Sequence, residues 1–162
     1  MSTAEDTAPL LPEEATAIRE LARRYPDPRA AGVEALKLVQ RRHRWISDGR
    51  LREVASLLGM TADELDGIAT FYNLIFRRPV GRHVVLLCDG VSCWVMGQER
   101  LLEHLRQRLG TGLGGTTGDE RFTLLPTVCL GFCDHAPAMM IGEEQHGDLD
   151  PERLDALLES CR

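Results

Sequence analysis

The apolar residues between positions 13 and 76 recur at helical spacing. Four stretches place apolar side chains every three or four residues, which puts them on one face of a helix. Segments rich in Pro, Gly or Asp separate the stretches, and the last one begins with Thr61 and Glu64, the pair of a capping box. The pattern predicts a bundle of four short amphipathic helices. Its predicted stripes are Ile18, Leu21 and Ala22; Val33, Leu36, Val39 and Gln40; Leu51, Val54, Leu57 and Leu58; and Leu65, Ile68, Ala69, Tyr72, Ile75 and Phe76.

After Val80 the pattern becomes that of an α/β domain. The run His83-Val-Val-Leu-Leu-Cys88 is continuously apolar, as expected for a strand covered on both faces. Asp150-Pro151 predicts the start of a terminal helix. The order of elements, strand-helix-strand-strand-helix, indicates an α/β or α+β fold. The remaining predicted elements are a helix carrying Leu101, Leu102, Leu105 and Leu109, strands at 122–128 and 138–141, and a short strand within 143–149.

This change of pattern predicts two domains and a tail. Residues 1–12 are small, acidic and contain Pro, which is typical of a flexible segment. Residues 13–80 are expected to form the helical domain and residues 81–162 the α/β domain. The helical part contains no cluster of His, Glu or Cys, so packing or docking is its expected role.

Composition and charge exclude several classes of protein. With 162 residues and 43% hydrophobic content, the chain can build a core without disulfides. Its start is acidic and lacks the basic and apolar segments of an export signal, so we expect reduced thiols in the cytoplasm. A net charge of −6 argues against nucleic-acid binding and against binding an anionic membrane. The apolar runs are also too short for membrane insertion.

Four of the five cysteines form two close pairs, spaced C-x4-C, then 35 residues, then C-x3-C. Cys88 ends the first predicted strand, and ligands gather at such strand ends in open α/β sheets. Gly90 and Gly131 lie between the paired cysteines, where a residue without Cβ lets backbone amides approach the sulfurs. Cys161 is interpreted as a spare thiol. The candidate metal ligands are Cys88, Cys93, Cys129 and Cys133.

Spacing alone leaves four interpretations of these cysteines open. They are an iron-sulfur cluster, a structural zinc site, a thiol-disulfide enzyme, and unrelated buried cysteines. Cys133-Asp-His135 has the form of half a Rieske site, but the other half does not follow. The Gly-rich segment 110–118 lacks the order and the Lys of a nucleotide loop, so we expect no nucleotide or flavin site.

With these residues in view, the chain resembles the family of thioredoxin-like 2Fe-2S subunits of the NADH-dehydrogenase module of bacterial respiratory complex I. The resemblance covers about residues 13–160, and so long a joint pattern is far more specific than four cysteines alone. It is carried by Ala69-Thr-Phe-Tyr72, Cys88-x4-Cys93, Thr116-Thr117, Phe122-Thr-Leu124, Cys129-Leu-Gly-Phe-Cys133, Ala136-Pro137 and Met139-Met-Ile141.

The resemblance implies a thioredoxin-like domain after the helical bundle, with the four paired cysteines binding one 2Fe-2S cluster, one pair per iron. It also implies that NADH and FMN are bound by a partner flavoprotein, so that this chain carries single electrons and has no catalytic residue. The implied location is cytoplasmic, on the inner face of the bacterial membrane, within a peripheral arm of several subunits. Related subunits serve NAD-linked hydrogenases and formate dehydrogenases, which is an alternative assignment. A zinc-stabilised interaction module is the alternative of another class.

Three further expectations concern single residues. Glu120 stands where the resembled family usually has Gly, and Phe132 replaces a small or polar residue between two ligands. Both are expected to alter loop shape. The fourth helix carries more large apolar residues than a small bundle needs to bury, so Phe71 or Phe76 is expected to face a partner or the second domain.

Overall fold

The computed structural model describes residues 7–161. The chain divides into two compact units, Met1–Pro79 and Val80–Arg162. Of the predicted tail, residues 1–6 lie outside the described part, and Leu10 is buried with its N–H bonded to the Glu53 carboxylate at 3.2 Å.

The first unit has four α-helices in its described residues, as the spacing predicts. Its core is built from the predicted stripes, and Ile18, Leu36 and Leu65 are completely buried. The capping box is confirmed, because Thr61 N donates to Glu64 Oε2 at 2.9 Å and Glu64 N donates to Thr61 Oγ1 at 3.2 Å. The helices are α1 (Pro12–Ala22), α2 (Gly32–His43), α3 (Asp48–Leu58) and α4 (Ala62–Phe71), with a 3-10 turn at Pro28–Ala31.

The fourth helix is shorter than its apolar spacing predicts. It ends at Phe71, and Tyr72 has extended backbone angles, so the expected continuation to Phe76 is wrong. A side chain from α2 binds the segment that follows: the Gln40 amide donates to Leu74 O at 2.7 Å and its oxygen accepts from Phe76 N at 2.7 Å. The consequence is that Phe71 is 80% exposed, whereas Phe76 is half-buried.

The second unit is a mixed sheet with helices, which confirms the predicted fold class. In its described residues the sheet has five strands in the order β2-β3-β1-β4-β5. β1 lies at the centre and pairs in parallel with β3 and antiparallel with β4. The strands are β1 (His83–Cys88), β2 (Gly115–Thr116), β3 (Phe122–Thr127), β4 (Met139–Ile141) and β5 (Glu144–His146); the helices are α5 (Val91–Val95), α6 (Gln98–Leu109) and α7 (Pro151–Ser160).

The core of this unit lies between the sheet and the helices α6 and α7. Leu87, Leu105, Leu124 and Leu154 are completely buried there. Because β1 is central and its last residue is Cys88, the packing of the whole unit fixes the position of that cysteine. Among the helices in the described part of the chain, none combines the length and apolarity needed to cross a membrane.

Candidate metal centre

The first cysteine pair lies where β1 passes into α5. The end of the strand is held by both neighbours: Cys88 N donates to Ala138 O at 3.2 Å, and Asp89 N donates to Thr127 O at 2.9 Å. The short helix α5 then carries Cys93 back against Cys88, and both residues are only 2% exposed. A continuous strand followed by one helical turn therefore positions a buried pair of thiols.

The second pair lies in the loop after β3. Gly131 has a φ of 77°, a left-handed conformation that Gly adopts without steric cost. This turn directs its backbone N–H to Cys129 Sγ at 3.4 Å. The Sγ atoms of Cys129 and Cys133 are 3.3 Å apart, and both residues are exposed.

The two loops meet at Gly90. A Cβ at this position would lie 3.4 Å from Cys88 Sγ and 3.4 Å from Cys129 Cβ, so the glycine allows the loops to approach closely. The loops also interact through Ser92, because its hydroxyl in α5 acts to lower the pKa of the Cys133 thiol. The structure thus brings together the four predicted cysteines from segments that are distant in sequence.

Three of the four thiols have shifted pKa values. Burial raises the pKa of the Cys93 thiol to about 11, and hydrogen bonding to Cys88 acts in the same direction. In contrast, the Gly131 N–H lowers the pKa of the Cys129 thiol, because it stabilises the thiolate. Hydrogen bonding to Cys129 raises the pKa of Cys133. The two pairs thus lie in different environments, one buried and one at the surface.

These residues fit a 2Fe-2S cluster. Such a cluster takes four cysteine thiolates, and the thiols here form two pairs with backbone N–H groups near the sulfurs. Within residues 7–161, no three His, Cys, Asp or Glu side chains are arranged around one point as a single metal ion requires. Two pairs of thiols match the two irons of such a cluster, because each iron takes two cysteine ligands.

Phe132 supports the second pair from inside the loop. It packs against the buried thiol cluster, and its ring lies 4.6 Å from that of His135. The His135 ring in turn bonds to the Asp148 carboxylate at 2.7 Å, which raises the pKa of His135. The large residue at 132 therefore fills space beneath the loop. Cys161 belongs elsewhere, since its Sγ donates to Leu157 O at 3.3 Å and packs on the core near α7.

Exposed apolar residues flank Cys93 and Cys129 along the chain, and their exposure could not be read from the sequence pattern. Five residues close to Cys93 and Cys129 in the chain are each between 56% and 73% exposed. The run of large side chains after Gly90 was the available signal, but its exposure depends on the orientation of α5. We call this surface the apolar rim; it comprises Val91, Trp94, Val95, Met96 and Val128.

Comparisons with known proteins show the family of the chain. The model of the family described as "Thioredoxin-like [2Fe-2S] ferredoxin" matches residues 18–162. A Pseudomonas aeruginosa protein named as a subunit of NADH-quinone oxidoreductase is 49% identical over 136 residues, covering 84% of this chain and 82% of that protein. The Escherichia coli K12 protein of the same name is 49% identical over 146 residues, covering 90% of this chain and 88% of that protein.

A solved structure shows a similar fold. The crystal structure of an NAD+-reducing [NiFe]-hydrogenase in the H2-reduced state aligns with a TM-score of 0.71 and 27% identity over 81% of this chain. This chain spans 22% of the length of that hydrogenase chain.

Fold and site together define the class: a thioredoxin-like domain that presents four cysteine thiols at one end of its sheet. Within that class, the chain belongs to the thioredoxin-like [2Fe-2S] ferredoxin family.

Proposed function

We propose that this chain is an electron-transfer subunit of an NADH-oxidising complex, namely NADH:quinone oxidoreductase, with one 2Fe-2S cluster bound by Cys88, Cys93, Cys129 and Cys133. The observation that carries the proposal is the meeting of these four thiols at the end of β1, in a chain of this family. When bound, the cluster supplies a one-electron redox couple.

The residues of the chain have distinct parts in this proposal. Cys88 and Cys93 form the buried half of the site, held by the central strand. Cys129 and Cys133 form the exposed half, where an electron can enter or leave at the surface. The Gly131 N–H lies against a ligand sulfur, where it stabilises negative charge. The proposal assigns no acid, base or nucleophile to this chain.

The proposed partner is a flavoprotein subunit that binds NADH and FMN. The apolar rim supports a partner at this position, since exposed apolar patches commonly mark interaction sites. Its residues lie close to Cys93 and Cys129 in the chain, so a subunit docked there would cover the exposed thiol pair. Within the complex, we place the chain in the peripheral arm on the cytoplasmic side of the membrane.

A second candidate is the equivalent subunit of an NAD-linked hydrogenase or formate dehydrogenase. The structural similarity to the NAD+-reducing [NiFe]-hydrogenase favours this candidate, while the identities of 49% favour the first one. Affinity purification of the tagged chain from its own cells, followed by identification of the bound subunits, distinguishes them. Quinone-reductase subunits support the first assignment, and hydrogenase or formate dehydrogenase subunits support the second.

Single cysteine variants test the ligand assignment. Replacing any of the four paired cysteines with Ala removes one ligand, so we expect loss of the visible absorption bands of the cluster or their rapid bleaching. Cys161→Ala is the matched control, because its thiol bonds to Leu157 O near α7, and its spectrum should equal that of the unmodified chain. Loss of the bands in Cys161→Ala would contradict the assignment.

A further inference from the structure

We propose that Cys129 and Cys133 form a reversible disulfide when no cluster is bound, and that this disulfide blocks loading of the metal centre. Disulfide formation is argued from the geometry of the thiols. The block of loading rests on the proposed function, because it requires these residues to be cluster ligands.

The distance between the two sulfurs supports disulfide formation. Cys129 Sγ and Cys133 Sγ are 3.3 Å apart, and a disulfide bond requires about 2 Å. A movement of roughly 1 Å closes this gap, which side-chain rotation can provide. The positive φ of Gly131 folds the three intervening residues back, so the loop already holds the cysteines side by side.

The pair Cys129 and Cys133 differs from the pair Cys88 and Cys93 in solvent exposure. Cys88 and Cys93 also lie within hydrogen-bonding distance of each other, but each is only 2% exposed. Thiol-disulfide exchange requires that the oxidant reach the attacking sulfur. Cys129 and Cys133 are both exposed, so a dissolved oxidant reaches them first.

The oxidant is a low-molecular-weight disulfide, such as oxidised glutathione. One thiolate of the pair attacks a sulfur of this disulfide, forming a mixed disulfide and releasing one glutathione thiolate. The second cysteine then attacks the protein sulfur of the mixed disulfide and releases the other glutathione. The two protons of the protein thiols pass to the two released thiolates. Two protein thiols are thereby oxidised and one glutathione disulfide is reduced.

The product has a functional consequence. An intramolecular disulfide withholds two of the four ligands, so iron and sulfide cannot assemble at the site until a thiol reductant restores them. It also protects an exposed pair from oxidation to sulfinic acid, which ordinary thiol reductants do not reverse. The exposed half of the site is thus a redox-controlled step in cluster loading.

Peptide mapping of the full-length chain tests this inference, because trypsin places the cysteines on three separate peptides, residues 83–100, 122–153 and 154–162. The iron is removed with a chelator and thiol reductant, and the chain is exchanged into anaerobic buffer and treated with oxidised glutathione. The reaction is then stopped with acid, and the free thiols, buried ones included, are blocked with N-ethylmaleimide in denaturant. We expect peptide 122–153 to carry an internal disulfide, while peptide 83–100 carries two maleimide groups. The Cys161→Ala variant should give the same result.

Other outcomes would overturn the proposal. A stable glutathione adduct on peptide 122–153 would show that the pair does not close, and preferential oxidation of peptide 83–100 would show that exposure does not select the pair. Iron and sulfide uptake is measured in parallel, and we expect its loss in the oxidised chain and its return after reduction with a dithiol. Uptake by the oxidised chain would overturn the blocking role. If the fully reduced chain also takes up no cluster, the proposed function fails, while the mapped disulfide still stands.

Discussion

Glu120 adopts a backbone conformation that residues with a Cβ seldom adopt, with a φ of 53° shortly before β3. Gly takes this conformation freely, whereas other residues lose about 1 kcal/mol. We therefore expect Glu120→Gly to have a free energy of unfolding about 1 kcal/mol higher than Glu120→Ala. Both variants remove the Glu side chain, so the difference isolates the backbone. Denaturant unfolding measures it, and equal stabilities would contradict the account.

At the scale of residues, spacing selects the candidate ligands of the site, whose role in binding a cluster stays a prediction. The paired cysteines and the glycines between them could be selected because thiolates and close backbone approach have recognisable patterns. Spacing could not show that Cys88 and Cys93 are buried while Cys129 and Cys133 are exposed. That difference in burial arises only when the loops fold against the sheet. The contact of Ser92 with Cys133 likewise joins residues that only folding brings together.

At the scale of elements, the connection between β5 and α7 packs tightly on the 3-10 turn at Cys133–His135. A Cβ at Gly147 would lie 2.4 Å from His135 Cβ and 2.8 Å from a Phe132 ring carbon. Overpacking of this kind typically costs about 1–3 kcal/mol. We expect Gly147→Ala to lower the free energy of unfolding by that amount and to accelerate cluster loss, because Cys133 belongs to the displaced turn.

The control for this prediction is Gly118→Ala, since a Cβ at Gly118 would meet open space. Its stability and its rate of cluster loss should differ little from those of the unmodified chain. Absorbance of the cluster over time, together with denaturant unfolding, compares the two variants. Equal behaviour of Gly147→Ala and Gly118→Ala would show that this contact does not support the site.

Most elements could be predicted, and those that could not depend on distant partners. The apolar period of α4 continues to Phe76, but Gln40 from α2 binds the backbone beyond Phe71 and the helix stops. The two-residue strand β2 has no apolar period, and it exists because its residues pair with β3. The order of the strands also depends on distant partners, because the residues of β1 alone do not show that it lies between β3 and β4.

At the scale of the whole molecule, the apolar rim is the surface at which we expect the proposed flavoprotein partner to dock. Val95 is 69% exposed at the end of α5, so Val95→Asp should leave the fold intact. A charge buried in an apolar interface typically costs more than about 1.4 kcal/mol, so we expect association to weaken about tenfold or more. Titration of the purified flavoprotein subunit with each variant measures the dissociation constant.

Leu113→Asp is the matched control, because Leu113 is an exposed apolar residue of the Gly-rich segment, outside the rim. The visible spectrum of the isolated chain should be unchanged in both variants. If Val95→Asp binds the flavoprotein as tightly as Leu113→Asp does, the rim is not the docking surface. Phe71 is then the next residue to change, because it is exposed at the end of α4 whereas Phe76 is half-buried.

The central claim is that this chain carries one 2Fe-2S cluster, and metal analysis of the whole molecule tests it most directly. Iron, acid-labile sulfide and zinc are measured in anaerobically purified chain, together with the electron paramagnetic resonance spectrum after chemical reduction. The account predicts about two irons and two sulfides per chain and one paramagnetic signal that appears on reduction. One zinc per chain without sulfide, and no signal on reduction, would contradict it.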